Sequence, residues 1–223
     1  MPVYNERERV QAAIDEVLGT ELPAEFELIV VDDGSTDGTR EILRGGDWEP
    51  RVRLLEHPVN LGKGAAVRTA LGEARGELAA IFDADLEYDP QDLAVLMPPL
   101  LDGRTNACFG VRAFDGYTSH SFLYVLGNKS VTLACNLLFN VYLHDIMTCQ
   151  KMLRTELFRS LPLREPGFAI EPEITARLVQ QGERIFEVPI HYRARATEEG
   201  KKLTALDGFR VLATLVRCRF SPP

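Results

Sequence analysis

The stretch VVDDGSTDGT, residues 30–39, decides how the chain is read. An apolar run (Phe26, Leu28, Ile29, Val30, Val31) stops abruptly at Asp32-Asp33-Gly34-Ser35, and Asp37 follows before Gly38. Adjacent carboxylates repel, so a strand that ends on two of them needs partners for the charge or a use for it. In open α/β sheets, ligands bind outside the carboxyl ends of the strands. The stretch therefore predicts a buried strand over 26–32 that delivers acids to a binding crevice. Ser35 belongs to the turn, and Asp37 is placed to cap a short helix over 38–44.

Outward from this point, strand-like and helix-like segments alternate. Val10, Ile14, Val17 and Leu18 recur at helical spacing over 6–19, with Gly19 as a stop. Further elements are a strand over Arg51–Glu56, a helix over Lys63–Ala74 and a short apolar strand over Leu78–Phe82. A helix over 90–101 opens at Asp89-Pro90, and Ala107–Phe109 is a strand. The rhythm predicts an α/β fold with a mainly parallel, doubly wound sheet and helices on both faces. The second half reads as a long helical stretch over 118–143 that leads to Gln150–Leu153, then a helix over Glu173–Gln181. A strand over Arg184–His191 and an amphipathic segment over Leu203–Arg219 complete it. Met1-Pro2-Val3-Tyr4-Asn5 leaves no room for a strand ahead of the first helix, so the first strand is expected to be missing or to lie upstream. With no repeat, linker or low-complexity run, 1–223 reads as a single domain.

Composition narrows the class. Apolar residues make up 45% and charged residues 26%, enough for a sizeable core. The net charge of −8 opposes nucleic-acid binding, which needs a basic surface. Four cysteines without CxxC spacing read as reduced thiols of a cytoplasmic protein, and the absence of HExxH argues against a His-built metal site. The polar N-terminal segment does not read as a signal peptide. The apolar stretch Phe122–Leu143 carries Lys129 near its centre, which costs about 2.5–3.5 kcal/mol in a bilayer. It reads as buried or interfacial helix rather than a membrane crossing.

A second apolar run ends in spaced acids: Asp83-Ala84-Asp85-Leu86-Glu87. In extended chain Asp83 and Asp85 share a side. Hard oxygen ligands of this kind suit Mg²⁺ or Mn²⁺, which retain waters and also take phosphate oxygens. The plainer reading is a solvated acidic turn. Gly62-Lys63-Gly64 opens a helix, as anion sites do, yet neither a P-loop nor a dinucleotide fingerprint is present. The basic run His191, Arg193, Arg195, Lys201 and Lys202 is a phosphate clamp or simply a solvated face.

Four segments, PVYNE (2–6), VVDDGSTDGT (30–39), NLGKGAAVRTAL (60–71) and FDADLEYDP (82–90), stand in the order and spacing of the family 2 glycosyltransferases, and the chain resembles that family over nearly its whole length. GNKS (127–130), DIMTCQKMLR (145–154), GFAIEPEIT (167–175) and HYRARATEEGKK (191–202) resemble its polyprenyl-phosphate (dolichyl-phosphate) glucosyl- and mannosyltransferase branch. The resemblance implies a glycosyltransferase A-type fold. It also implies an inverting enzyme that moves a hexose from a UDP-glucose- or GDP-mannose-type donor to polyprenyl phosphate, with Mg²⁺ or Mn²⁺. By the same resemblance Asp33 binds the nucleobase and Asp32 is structural, while Pro2, Tyr4, Glu6 and Val31 line the base and ribose site. Lys63 joins the donor site. Asp83, Ala84 and Asp85 form the family's DxD, and Glu87 is a further metal ligand. Arg112, Arg195 and Lys201 hold phosphate groups. Asp85, Arg195, Lys201 and Glu173 are the catalytic candidates, with Glu171 or Glu173 as general base if the acceptor is a hydroxyl on a glycan or small molecule. Residues 1–112 would bind nucleotide and 113–223 would face the acceptor. Met147 stands where the branch often carries an acid. A lipid acceptor implies a cytoplasmic protein at the inner face of the membrane, touching it peripherally through 122–143 and 203–219, unless core packing uses those segments. A receiver module, which also has paired acids, a strand-end aspartate and a lysine, would leave 120–223 unexplained.

Overall fold

The computed structural model describes residues 1–112, 122–193 and 205–221. The expected strand is there as Leu28–Asp32, with every residue buried. Ahead of it lies a strand of two residues, β1 (Pro2–Val3), which pairs in parallel with the longer strand, now β2, through Pro2↔Val31 and Val3↔Asp32. The first strand is thus present in short form, a correction to the expectation that it is missing. On its other side β2 pairs in parallel with β3 (Val52–Glu56) along its whole length.

The second sheet has the order β4 (Leu78–Ala80), β6 (Lys151–Arg154), β5 (Ala107–Arg112), β7 (Ile185–Ile190). β6 runs antiparallel to both its neighbours, and β5 and β7 are parallel. β4, β5 and β7 therefore share one direction, and the expectation of a mainly parallel α/β sheet holds.

The helices are α1 (Val10–Leu18), α2 (Thr39–Gly45), α3 (Lys63–Glu73), α4 (Asp92–Leu101), α5 (Phe122–Phe139), α6 (Thr155–Ser160), α7 (Ile170–Gln180) and α8 (Ala205–Phe220). Sequence periodicity gave no sign of α6, which is under two turns long. α1 starts four residues later than its apolar spacing implied, because Glu6 C=O accepts the Arg9 and Val10 N–H groups in a tight turn. At α2, which starts at Thr39, the cap position falls on Gly38 rather than the expected Asp37; from one residue earlier the Asp37 carboxylate accepts the Thr39 N–H at 3.0 Å and the Arg7 N–H at 3.1 Å.

One apolar cluster joins the two sheets. Val3, Ile14, Val17, Leu28 and Val30 from the first side meet Phe82, Leu93, Leu96, Met97 and Met152 from the second. A smaller cluster of Cys135, Ile146, Ala176, Leu215 and Cys218 lies where α5 and α8 cover α7. A cavity of about 660 Å³ runs between the edges of β2 and β4. No helix among the described residues is long and apolar enough to cross a membrane.

Candidate active site

The paired acids at the end of β2 have separate partners. Asp32 is fully buried; its Oδ2 accepts Arg40 Nε at 2.7 Å and its Oδ1 accepts the Ser35 N–H at 3.2 Å. Asp33 takes His57 Nδ1 at 2.7 Å, the Leu61 N–H at 2.9 Å and the Gly62 N–H at 2.7 Å. Asp32 therefore closes the turn, and Asp33 holds the loop that leads into α3. Gly34 between this turn and that loop has φ +74°, and a Cβ there would come within 2.3 Å of the Val59 carbonyl carbon, so only glycine fits. The same holds at Gly62, with φ +94° and a Cβ position 2.4 Å from Pro166 O. The glycines of NLGKG thus admit close packing of the 165–167 loop.

Lys63, the first residue of α3, is buried among two carboxylates and a thiol. Its Nζ lies 2.8 Å from Asp83 Oδ2, 2.9 Å from Glu171 Oε1 and 3.0 Å from Cys149 Sγ. Glu171 Oε2 in turn lies 2.6 Å from Nζ of the fully buried Lys151, which also donates to the carbonyls of Ile146 and Thr148. A chain of alternating charge, Asp83–Lys63–Glu171–Lys151, therefore runs beneath the cavity floor. Burial alone would lower the Lys63 ammonium, but the anions of this chain hold it well above its usual value. Burial, the largest single cause, pushes the Asp83 carboxyl up, but the Lys63 charge together with hydrogen bonds from Cys149 and Lys63 makes the net shift downward.

Asp83 Oδ2 is held by Lys63, whereas Oδ1 is buried without a hydrogen-bond partner. Past it the chain turns rather than extends: Asp85 Oδ1 accepts the Glu87 N–H at 3.1 Å, and Leu86 sits at φ +61°, a strained value for a non-glycine residue. Glu87 Oε2 accepts the Tyr192 hydroxyl at 2.8 Å. No group of three His, Cys, Asp or Glu among the described residues is arranged to hold a metal ion, so the expected trio Asp83, Asp85 and Glu87 is not a preformed cage. The unpaired Oδ1 of Asp83 beside Asp85 fits a magnesium-type ion, which needs one or two carboxylates and completes its shell with water and phosphate oxygens.

Arg112, at the end of β5, meets Asp145 through Nε at 2.7 Å and Nη2 at 2.9 Å, a buried two-pronged pair. Burial, the largest single cause, pushes Asp145 up, but the Arg112 charge and hydrogen bond, with Lys151 and Asn128, together lower the carboxyl. The guanidinium also stacks 5.0 Å from the Tyr192 ring. Arg112 still lines the cavity, with its fork turned to Asp145.

These elements enclose a cavity of about 420 Å³. Of the expected donor residues, Pro2, Tyr4, Glu6, Asp33, Lys63 and Arg112 line it. So do Asp83, Ala84, Asp85 and Glu87, together with Glu171 and Met147. Asp33 and Asp85, from different sheets, therefore meet in one pocket.

Two expected residues do not reach it. Val31 is fully buried against Ile29 and Ala66, because alternation along the strand turns it toward α3. Glu173 is buried with Oε2 accepting the Arg164 and Glu165 N–H groups at 2.9 and 2.8 Å, and it fastens that loop instead of facing the cavity. The reason is helical geometry: Glu171 and Glu173 are two positions apart on α7, about 200° around the axis, so one faces the cavity and the other cannot. Burial raises the Glu173 carboxyl. Arg195, Lys201 and Lys202 lie outside the described residues. Of the rest of the basic run, His191 pairs with Asp92 at 2.9 Å, and Arg193 lies 3.7 Å from Asp89.

Sequence reasoning missed several neighbours of the site: Cys149, Phe168, Tyr88 and Tyr192 line the cavity, and Lys151, Asp145 and His57 hold its walls. All but His57 lie inside quoted segments, where a lysine on a core strand (Lys151) and an acid ahead of a strand (Asp145) call for buried partners.

A family model described as glycosyl transferase family 2 matches residues 1–161. Dodecaprenyl-phosphate galacturonate synthase of Rhizobium johnstonii is 29% identical over 227 residues, covering 99% of this chain and 65% of that protein. The chain thus spans just under two thirds of that relative's length. Polyprenol monophosphomannose synthase of Mycolicibacterium smegmatis is 27% identical over 206 residues, covering 87% of this chain and 76% of the relative. The crystal structure of glucosyl-3-phosphoglycerate synthase from Mycobacterium tuberculosis with Mn²⁺, UDP-glucose and phosphoglyceric acid superposes with a TM-score of 0.75. It shares 24% identity and covers all of this chain and 79% of that one, a likeness that carries the fold.

Proposed function

The chain belongs to glycosyl transferase family 2, and from that premise we propose that it transfers a hexose, with inversion, from a nucleoside-diphosphate sugar to the phosphate of a polyprenyl or dolichyl carrier. One observation carries the choice of acceptor: neither candidate base is available. Glu171 is held between Lys63 and Lys151, and Glu173 lies outside the cavity. A hydroxyl acceptor needs a base within hydrogen-bond reach, worth about 10²–10⁴-fold in rate, whereas a phosphate monoester is already anionic. The names of two relatives, a dodecaprenyl-phosphate and a polyprenol-phosphate sugar synthase, support the same class.

In this reading the nucleotide lies against Pro2, Tyr4, Glu6 and the loop that Asp33 holds, on the 1–112 side. The acceptor enters beside Met147 and Tyr192, on the side formed by 113–223. The acceptor phosphate oxygen bonds to the anomeric carbon as the bond from that carbon to the diphosphate oxygen breaks, and the leaving group takes that electron pair. Lys63 fixes Asp83 Oδ2 and leaves Oδ1 without a partner, and Asp83 and Asp85 would hold Mg²⁺ or Mn²⁺. A divalent ion there would offset charge on the departing diphosphate. Arg195 and Lys201 are assigned to the same task by the family resemblance.

The test is transfer from radiolabelled UDP-glucose and GDP-mannose to a short-chain polyprenyl phosphate and, separately, to the matching polyprenol, each with and without Mn²⁺. Product on the phosphate alone, lost on chelation and with Asp85→Asn, is expected. Glu171→Gln should keep transfer within about tenfold once corrected for folded protein; a fall of about 10³ with donor affinity intact would instead establish a base and a hydroxyl acceptor.

A further inference from the structure

Most of the large apolar side chains that the described residues leave exposed belong to two neighbouring helices: Phe122, Leu126, Leu133 and Leu137 on α5, and Phe209, Leu212, Val216 and Phe220 on α8. At 100° per residue, the α5 set falls within about 60° around its axis and the α8 set within about 80°. Core packing uses other faces. α5 buries Asn128, Thr132 and Cys135, α8 buries Val211, Thr214, Leu215 and Cys218, and both rest on α7 through the cluster of Cys135, Ala176, Leu215 and Cys218. The two stripes therefore point away from the core on two packed helices, as an apolar surface left exposed among the described residues. Phe209 is 72% exposed and Phe220 82%, more than scattered surface apolar residues explain.

Charge selects the occupant. The chain carries −8, yet the only charged residue in the α5 sequence is Lys129, and α8 has Arg210, Arg217 and Arg219 against one acid, Asp207. All four cations are exposed, and Arg217 pairs with Glu165. A second copy docking through a two-fold axis would set this cationic rim against itself. An anionic bilayer meets both requirements, an apolar depth for the stripes and negative charge for the rim. We propose that the outward face of α5 and α8 lies on an anionic membrane surface.

The face adjoins the catalytic cavity. Asn128 of α5 donates to Asp145 at 3.3 Å, and Asp145 holds Arg112 of the cavity wall. Met147 lines the cavity and packs into the cluster under α5 and α8. A carrier phosphate at the headgroup level would thus lie beside the cavity mouth; this purpose rests on the lipid-phosphate reading, whereas the membrane contact does not.

The experiment is flotation of the whole chain with vesicles of phosphatidylglycerol and phosphatidylcholine, compared with phosphatidylcholine alone, without substrates. Wild type is expected to float with the anionic vesicles and to be released in part by salt. Leu137→Glu with Phe209→Glu should reduce bound protein at least tenfold while the melting temperature stays unchanged, since both side chains are exposed. Failure of wild type to float, equal binding to both vesicle types, or equal flotation of the double variant would overturn the proposal. So would a wild-type dimer in light scattering that the double variant turns into monomer. Transfer to a short-chain acceptor dispersed in detergent is measured in parallel: if it fails while flotation succeeds, the acceptor reading falls and the membrane face stands.

Discussion

Replacing Glu171 by glutamine tests the buried charge chain directly. The wild-type carboxylate lies 2.6 Å from Lys151 Nζ and 2.9 Å from Lys63 Nζ. Glutamine keeps the shape but offers one acceptor oxygen and turns an amide N–H toward the second lysine. Lys63 retains Asp83 as counter-charge, whereas Lys151 is left with two backbone carbonyls. Removing one partner of a buried pair costs about 3–5 kcal/mol. The hydrogen bond that glutamine keeps returns roughly 1–2 kcal/mol of that. A net loss of about 2–3 kcal/mol lowers the melting temperature of a chain of this size by roughly 4–12 °C. Lys151→Met combined with Glu171→Gln removes the orphaned cation and should be more stable than Glu171→Gln alone, measured by urea titration with circular dichroism. A single variant melting within about 2 °C of wild type, or a double variant no better than the single, would refute the idea that Glu171 is held there as the shared counter-charge.

Other outcomes follow from the same geometry. Gly62→Ala places a Cβ against Pro166 O at positive φ and should cost about 1–3 kcal/mol while weakening donor binding, read by melting and by titration with UDP. Arg112→Ala strands Asp145 and should reverse a pH slope. In wild type the lowered Asp145 gives stability that is complete above the ordinary value of about 3.9 and lost as pH falls through its folded value. In the variant the buried carboxyl loses its counter-charge and keeps only neutral donors, the Asn128 amide and the Met147 N–H among them, so burial favours its proton and stability contributed at this site rises as pH falls from about 6 to 4, visible in melts across that range. Glu173 is the opposite case in wild type: its raised folded value means stability is fully present below about 4.3 and lost as pH rises through the folded value. Glu173→Gln, which mimics the protonated form and retains an acceptor for the Arg164 and Glu165 N–H groups, should gain on wild type between about pH 4 and 7. The comparison fails if the difference in melting temperature is flat over that interval.

What could be read from residues alone was local. An apolar run that ends in carboxylates is a feature of neighbours in sequence, and both such runs, at Asp33 and at Asp83, deliver acids to the cavity. The direction of a side chain at one position of a strand or helix needs the element's phase, which the motifs did not supply. Val31 and Glu173 were misplaced for that reason, each by facing away from its functional neighbour. Charge pairing between distant segments was also hidden. Nothing near Lys151 announces Glu171, and nothing near Arg112 announces Asp145, although each pair is closed within 3 Å in the fold. Extended spacing, which put Asp83 and Asp85 on one side, did not foresee the turn at Leu86.

The brevity of β1 has a mechanical consequence. β1 is bonded to β2, and among the described residues no backbone ladder ties either of them to β4, so a seam divides the molecule along the 660 Å³ cavity. Across that seam the halves meet through the Val17, Leu28, Phe82 and Met97 contacts, the Lys63–Asp83 ion pair and a backbone bond from the Ala65 N–H to Pro166 O at 3.1 Å. Packed side chains slide over small distances where hydrogen-bonded strands would have to break. The cavity draws Tyr4 and Asp33 from one half and Asp85 and Tyr192 from the other, so its walls meet across the seam. A change in the cavity's width would therefore leave every strand pairing intact.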